Sequence, residues 1–143
     1  MNKFPRSAYV HIPFCHRRCF YCDFAIIPLG NKVETLHGYG SKTVKEYLHF
    51  LFKEILSIKD KLPLSTIYVG GGTPSILHPK QIKALIDLFK ENYGICYGAE
   101  ITMEVDPASF NQDDLHGFIN AGINRFSLGV QKIGRAHVWT PVT

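Results

Sequence analysis

Strand-like and helical segments alternate along most of this 143-residue chain. Four short segments are rich in β-branched or aromatic residues and end near Gly or Pro: 9–12, 65–70, 100–105 and 125–130. Between them, apolar residues recur at helical spacing within 43–60, 79–94 and 111–122. The order β-α-β-α-β-α-β predicts an α/β fold in which helices cover a parallel sheet, either an open doubly wound sheet or part of a barrel.

Composition and charge argue against several classes of protein. Hydrophobic residues make up 45% of the chain, which is typical of a folded domain and not of a disordered segment. The net charge of +4 comes from scattered cations, so no nucleic-acid partner is expected. No run approaches the roughly 20 apolar residues of a membrane span, and no apolar segment typical of a signal peptide follows the charged start. We therefore expect a cytoplasmic protein, and contact with a membrane surface stays open.

Three of the four cysteines lie within eight residues of one another, at Cys15, Cys19 and Cys22. In a reducing cytoplasm such clustering favours metal binding or redox chemistry over structural disulfides. A three-ligand zinc site, a disulfide with a spare thiol, and a four-iron cluster with one open iron all satisfy the count. The third interpretation is favoured, because an iron without a protein ligand can bind an exogenous one. The fourth cysteine, Cys96, is expected to be a small buried apolar residue.

Unusual residues also accompany the ends of the other predicted strands. The segment "GGGTPS" spans 70–75, Glu104 lies in "EVDP", and "GVQ" ends at Gln131. Because the carboxyl ends of parallel strands meet at one edge of a sheet, these residues are predicted to share a rim with the cysteines. No Lys-Ser or Lys-Thr pair follows the glycines, which disfavours a nucleotide P-loop and leaves a tight turn before a helix as the simpler alternative. A lone carboxylate on an apolar strand needs a partner, so Glu104 either contacts a ligand or forms a buried ion pair with Lys or Arg.

The motif C-x3-C-x2-C, with Tyr21 just before the last cysteine, resembles the signature of radical S-adenosylmethionine (SAM) enzymes. Within residues 7–131, the blocks "YVHIPFC", "YCDF", "GGGTPS", "EVDP" and "INRFSLGVQ" resemble the family of oxygen-independent coproporphyrinogen III oxidases and their haem-chaperone relatives. The resemblance implies the N-terminal part of a partial (β/α)6 TIM-like barrel, truncated after the fourth strand. It also implies a [4Fe-4S] cluster whose open iron binds SAM, and reductive cleavage of SAM to a 5′-deoxyadenosyl radical.

The resemblance further implies which residues and partners take part. Cys15, Cys19 and Cys22 would hold the cluster. Cofactor contacts are implied for seven positions: Tyr9, Tyr21, Gly71, Gly72, Thr73, Glu104 and Gln131. Glycines suit such a place because the missing Cβ atoms let the main chain approach a ligand closely. On the residues alone, the two tyrosines could equally be core residues and Gln131 a surface amide. The implied partners are haem or a porphyrinogen, and a reductant such as flavodoxin or ferredoxin.

One position bears on the branch of the family. Oxidases of this family tend to carry a further cysteine two residues after the third ligand, where this chain has Phe24. The resemblance therefore favours the haem-chaperone branch, which is not expected to decarboxylate coproporphyrinogen. Whether the chain is an enzyme stays open, because a non-catalytic haem- or metal-binding module could use the same cluster structurally.

The last residues do not continue the pattern. The segment "IGRAHVWTPVT" (133–143) lacks helical periodicity and a strand partner, and it contains the only tryptophan of the chain. It resembles one translated reading frame of a sequencing adapter in which a stop triplet is read as Trp. We therefore expect residues 1–131 to be an incomplete radical SAM core and 132–143 a non-native tail, with a genuine divergent terminus as the alternative. Four strands cannot close a barrel and leave an apolar flank exposed, so poor stability and no activity are expected of a chain of this extent.

Overall fold

β-strands and α-helices alternate in the predicted order. The computed structural model describes residues 6–15, 27–28 and 42–129. Within them the strands are β1 (Ser7–Ile12), β2 (Phe14–Cys15), β3 (Ile27–Pro28), β4 (Leu64–Gly71), β5 (Ile95–Val105) and β6 (Arg125–Leu128). The helices are α1 (Lys42–Ser57), α2 (Pro79–Asn92) and α3 (Gln112–Ala121), with short 3-10 turns at Pro74–Ile76 and Pro107–Ser109. The four predicted strands and three predicted helices are confirmed as elements.

Four parallel strands form the main sheet in the order β1-β4-β5-β6. Its register pairs Tyr9 with Tyr68, Tyr68 with Thr102, and Thr102 with Arg125. Each long strand lies beside the next one along the chain, so the order has no reversal of the kind that defines a doubly wound sheet. Of the two architectures that the sequence left open, the described residues therefore have the winding of a barrel. Strands β2 and β3 pair separately, as a two-residue parallel ladder.

The main sheet has one apolar face and one polar face. Alternate residues of the strands, such as Val10, Val69 and Met103, are buried and pack with the helices in one hydrophobic cluster. The intervening residues, such as Tyr68 and Glu104, are only half-buried. A parallel sheet covered by helices on both sides has strands that are apolar almost throughout. The alternation seen here therefore agrees with helices on one side, which makes the polar face the inner face of the barrel-like sheet.

Local sequence explains where α2 and α3 begin and end. Pro79 opens α2, where its missing N–H costs no helical hydrogen bond, and His78 caps the same turn. At the start of α3, Asn111 Oδ1 accepts from the Asp114 N–H at 2.8 Å and the Asp114 carboxylate accepts from the Asn111 N–H at 3.1 Å. Gly122 ends α3 with a φ of +120°, the left-handed conformation that glycine adopts without strain. No helix in the described ranges has the length and apolarity needed to cross a membrane.

Two expectations about residues 95–105 are wrong. Strand β5 begins at Ile95, five residues before the predicted start at 100, because Ile95 pairs with Leu64 ahead of a register shift. Gly98 in this added stretch has a φ of +78°, which is not a strand conformation. The stretch therefore lacks the regular alternation from which a strand is predicted. Cys96 lies in the same stretch and is half-buried, with Nη2 of Arg6 2.6 Å from its sulfur, and not in the core as expected. Other boundaries lie within three residues of the prediction.

Candidate functional site

The end of β4 lies against the segment that carries Cys15. The Gly72 N–H donates to the Ile12 carbonyl at 2.7 Å, and the Thr73 N–H donates to the Phe14 carbonyl at 2.7 Å. These two bonds continue the β1–β4 pairing past the end of the sheet. Cys15, the last residue of β2, is therefore fixed beside the turn that follows β4.

Glycine is required in this turn by the protein's own backbone. Gly71 has a φ of +118°, and a Cβ there would lie 2.7 Å from the Ile12 carbonyl oxygen. A Cβ on Gly72 would lie 2.7 Å from the Phe14 carbonyl oxygen and 2.8 Å from the Cys15 Sγ. All three distances are shorter than van der Waals contact. The space beside both Cα atoms is thus taken by the Cys15 segment, a packing reason for glycine that the sequence interpretation did not include.

The sulfur of Cys15 has a hydroxyl donor beside it. Thr73 Oγ1 donates to Cys15 Sγ over 3.5 Å. Hydrogen bonds to cysteine sulfur favour the thiolate and adjust the potential of iron–sulfur clusters. A sulfur backed by glycine and contacted by a hydroxyl therefore fits a ligand of such a cluster. Cys19 and Cys22 lie outside the described residues, and within the described ranges no three His, Cys, Asp or Glu side chains converge as a metal site.

Glu104 reaches the same edge from β5. Its Oε2 accepts from the Tyr68 hydroxyl at 2.7 Å, and its Oε1 accepts from the Gly71 N–H at 3.0 Å. No ion pair among the described residues includes Glu104, so the alternative of an ion pair with Lys or Arg finds no support there. Neutral donors instead compensate the half-buried carboxylate for part of its lost hydration. The N–H groups of residues 71–73 all donate within the protein.

Two tyrosines stand side by side on the polar face next to Glu104. The rings of Tyr9 and Tyr68 are stacked, with centroids 6.0 Å apart and planes at 22°. The Tyr9 hydroxyl lies 3.1 Å from His11 Nδ1. Burial raises the pKa of Tyr9 and the Glu104 charge raises it further. The alternative that Tyr9 is a core residue is wrong, because 59% of it is exposed.

Two hydroxyl groups, of Ser75 after β4 and Ser109 after β5, join the segments that follow these strands. Ser75, which has no exposed surface, hydrogen-bonds Ser109 and accepts from the Asp106 N–H at 3.0 Å. Ser109 Oγ in turn donates to the Asp106 carbonyl at 2.8 Å. The "GGGTPS" and "EVDP" blocks are thus bound to one another, which keeps the turn after β4 and the end of β5 at a constant separation.

Five of the predicted site residues lie at this one edge: Cys15, Gly71, Gly72, Thr73 and Glu104. Tyr9 lies on the adjoining polar face, in register with Tyr68. The other four, Cys19, Tyr21, Cys22 and Gln131, lie outside the described residues, as does Phe24. Sequence reasoning missed Tyr68, which contacts both Tyr9 and Glu104. Period-two alternation along β4 and β5 would have placed Tyr68 and Glu104 on the same face, and this signal was available.

Comparison with known proteins finds similarity to radical SAM proteins over most of the chain. The profile of the radical SAM superfamily matches residues 9–138. The heme chaperone HemW of Synechocystis sp. is 45% identical over 128 residues, which cover 89% of this chain and 30% of the relative. The oxygen-independent coproporphyrinogen III oxidase of Escherichia coli is 37% identical over 137 residues, which cover 92% of this chain and 27% of the relative.

A solved structure shows the same fold. Coproporphyrinogen III oxidase (HemN) from E. coli, described as a radical SAM enzyme, superposes with a TM-score of 0.72 at 33% identity, covering 91% of this chain and 29% of that one. This likeness confirms the predicted α/β fold as part of a TIM-like radical SAM barrel. The chain spans about 30% of the length of the curated relatives it matches.

Proposed function

Because this chain belongs to the radical SAM superfamily, we propose that it forms the part of a radical SAM protein that binds a [4Fe-4S] cluster and SAM. The observation that carries the proposal is that one turn, residues 71–73, hydrogen-bonds Cys15 through Thr73 Oγ1 and Glu104 through the Gly71 N–H. It brings a sulfur ligand and a carboxylate to one edge of the sheet. This is the edge at which ligands bind in parallel α/β folds.

Cys15, Cys19 and Cys22 are the proposed ligands of the cluster. Three thiolates leave one iron for an exogenous ligand, which is the role proposed for SAM. The Thr73 hydroxyl holds the Cys15 sulfur by a hydrogen bond, and Gly72 leaves the space that this sulfur occupies. When bound, the cluster supplies the electron that breaks a carbon–sulfur bond of SAM and yields the 5′-deoxyadenosyl radical.

Glu104 is the proposed partner of the cationic part of SAM, since both the amine and the sulfonium suit a carboxylate. The remaining proposed contacts come from Tyr9, Tyr21, Gly71, Gly72, Thr73 and Gln131. The N–H groups of residues 71–73 already have acceptors in the protein. The contribution of this turn is therefore expected from groups other than these three donors.

Cluster binding is tested by anaerobic reconstitution of a full-length protein that carries this sequence. The product should be brown and should bleach with dithionite, and Cys19→Ala should abolish both properties. Cys96→Ala is the matched control, because it removes a thiol that contacts Arg6 and lies outside the motif. A folded, colourless protein with stoichiometric zinc would contradict the proposal.

The reaction and the substrate are proposed from comparison of sequences, and they are tested separately. We favour a haem chaperone over an oxidase, because Phe24 replaces the further cysteine and the Synechocystis relative named a heme chaperone is 45% identical. Haem or a porphyrinogen is the proposed ligand and flavodoxin or ferredoxin the proposed reductant. Release of 5′-deoxyadenosine would support the radical enzyme, haem binding without cleavage would support a non-catalytic module, and decarboxylation of coproporphyrinogen III would support the oxidase.

The extent of the domain is also a proposal. We propose residues 1–131 as an incomplete radical SAM core and residues 132–143 as a non-native tail. The superfamily match runs on to residue 138, so the boundary needs a direct test. An uninterrupted genomic reading frame for "GRAHVWTPVT" would refute a non-native tail. We further propose a cytoplasmic location, because clustered cysteines stay reduced there, and cell fractionation would test it.

A further inference from the structure

Tyr68 lies at the centre of the polar face and belongs to none of the residue sets assigned above. It stands on β4, in register with Tyr9 of β1 and Thr102 of β5. Its hydroxyl crosses to the neighbouring strand and donates to Glu104 Oε2 at 2.7 Å. Its ring stacks on Tyr9 of the other neighbouring strand, β1. One side chain thereby links three of the four strands on the face that carries Glu104.

We propose that Tyr68 is a positioning residue that fixes the orientation of the Glu104 carboxylate for a cationic ligand. The inference rests on the proposed function only in naming that ligand as SAM. The pairing of the two side chains is a property of the chain itself.

The geometry restrains both carboxylate oxygens. Tyr68 holds Oε2 and the Gly71 N–H holds Oε1, so rotation of the carboxylate would break at least one bond. Each oxygen of a carboxylate has two lone pairs, so each keeps the capacity to accept from a ligand. A carboxylate that is already oriented loses less conformational entropy when the ligand binds.

The tyrosine ring is itself held in place. Tyr9 stacks on one side of it, with ring centroids 6.0 Å apart. A Cβ on Gly70 would lie 2.9 Å from both Tyr68 Cε1 and Glu104 Oε1. The absence of a side chain at Gly70 therefore makes room for the pair, which gives a reason for the first glycine of "GGGTPS" as well as for the next two.

The protonation state of Tyr68 suits a donor. Burial raises the pKa of its hydroxyl, and the hydrogen bond to Glu104 and the charge of Glu104 raise it further. The phenol therefore stays protonated throughout the neutral range and donates to the carboxylate.

The main test is Tyr68→Phe in the reconstituted full-length protein, with SAM affinity measured by calorimetry. This change keeps the stacked ring and removes only the hydroxyl. We expect SAM to bind about tenfold more weakly, equivalent to about 1.4 kcal/mol, with iron content unchanged. Tyr93→Phe is the matched control, because the Tyr93 hydroxyl donates to the Ile55 carbonyl far from Glu104, and its loss should leave SAM affinity unchanged.

A second measurement does not need SAM. Ultraviolet titration of tyrosinate should show Tyr68 and, to a smaller extent, Tyr9 shifting to lower pH in Glu104→Gln, since Glu104 raises the pKa of Tyr68 by both its hydrogen bond and its charge and that of Tyr9 by its charge alone. The shift should be much smaller when Tyr68→Phe is also present, where only Tyr9 responds to that charge. This measurement keeps the inference testable even if Tyr68→Phe folds poorly.

The outcomes separate the inference from the proposed function. If the unaltered protein binds no SAM, the proposed function and the role of Tyr68 in SAM binding both fail, and the titration still decides whether Tyr68 and Glu104 are paired. If SAM binds and Glu104→Gln weakens it while Tyr68→Phe matches the unaltered protein, only the role of Tyr68 is overturned. An unshifted tyrosine titration in Glu104→Gln would overturn the pairing itself.

Discussion

The two faces of the sheet are made of neighbouring residues and do different work. On β5, Met103 is fully buried against the helices, and the next residue, Glu104, lies half-buried on the polar face. The apolar face stabilises the fold by removing hydrocarbon from water. The polar face holds a carboxylate at some cost in hydration, offset by hydrogen bonds from Tyr68 and Gly71. Stability and ligand binding should therefore be separable by mutation at adjacent positions of one strand.

The largest expected effect is on the apolar face. Met103→Ala should lower the free energy of unfolding by about 2–5 kcal/mol, because it removes buried contacts and leaves a cavity. Glu104→Gln, one residue away, keeps the side-chain size and should cost less than about 1 kcal/mol. Urea denaturation followed by circular dichroism measures both. Equal losses would break the comparison, since the two faces would then contribute alike to stability.

The second-largest expected effect is on SAM binding, where a change on the polar face should matter more than a change on the apolar face. Glu104→Gln should weaken SAM binding by about 1.5–3 kcal/mol, typical of a hydrogen bond to a charged group, with iron content unchanged. Glu100→Gln is the matched control, because Glu100 shares the strand and the face but lies at the middle of β5, where it pairs with Arg125. Unaltered affinity in Glu104→Gln would assign Glu104 a structural role.

Much of the fold could be predicted because its signals are local. The start of α2 at Pro79 and the ends of α3 at Asn111 and Gly122 depend on residues within one turn, and the predicted ranges 79–94 and 111–122 begin or end at these residues. The polar rim was predictable because parallel strands bring their carboxyl ends together. The early start of β5 and the exposure of Cys96 depend on a register shift against β4, which no local pattern reveals.

The glycines of residues 70–72 are a second case in which local sequence is not sufficient. The run "GGGTPS" indicates that a close approach occurs, but not what approaches. The neighbour proves to be the Cys15 segment for Gly71 and Gly72, and the Tyr68–Glu104 pair for Gly70. Except for that between Gly70 and Tyr68, these contacts join residues more than thirty positions apart, so only the folded chain identifies them.

The third prediction concerns that close approach. Gly72→Ala should cost about 1–3 kcal/mol through overpacking against Phe14 and Cys15, and it should lower iron content because the Cys15 sulfur is displaced. Gly98→Ala is the control: its φ is +78° and nothing lies within 4 Å of a Cβ there. It should cost about 1–2 kcal/mol through backbone strain alone and retain iron. Equal iron loss in both variants would contradict the specific contact.

The smallest effect compares two carboxylates on the polar face. Glu100 pairs with Arg125 at 3.2 Å, with about half of each side chain exposed, whereas Glu104 accepts from the neutral Tyr68 hydroxyl. Water and salt screen an exposed ion pair, so its coupling energy should be about 0.2–1 kcal/mol and should fall as salt is added. A hydrogen bond from a neutral donor carries no such screening, so the coupling of Tyr68 with Glu104 should stay constant.

Two double-mutant cycles, each at low and high salt, measure these coupling energies. One uses Glu100→Gln and Arg125→Gln, and the other uses Glu104→Gln and Tyr68→Phe. A coupling of Tyr68 with Glu104 that falls with salt as steeply as that of Glu100 with Arg125 would contradict a hydrogen bond between a neutral hydroxyl and the carboxylate.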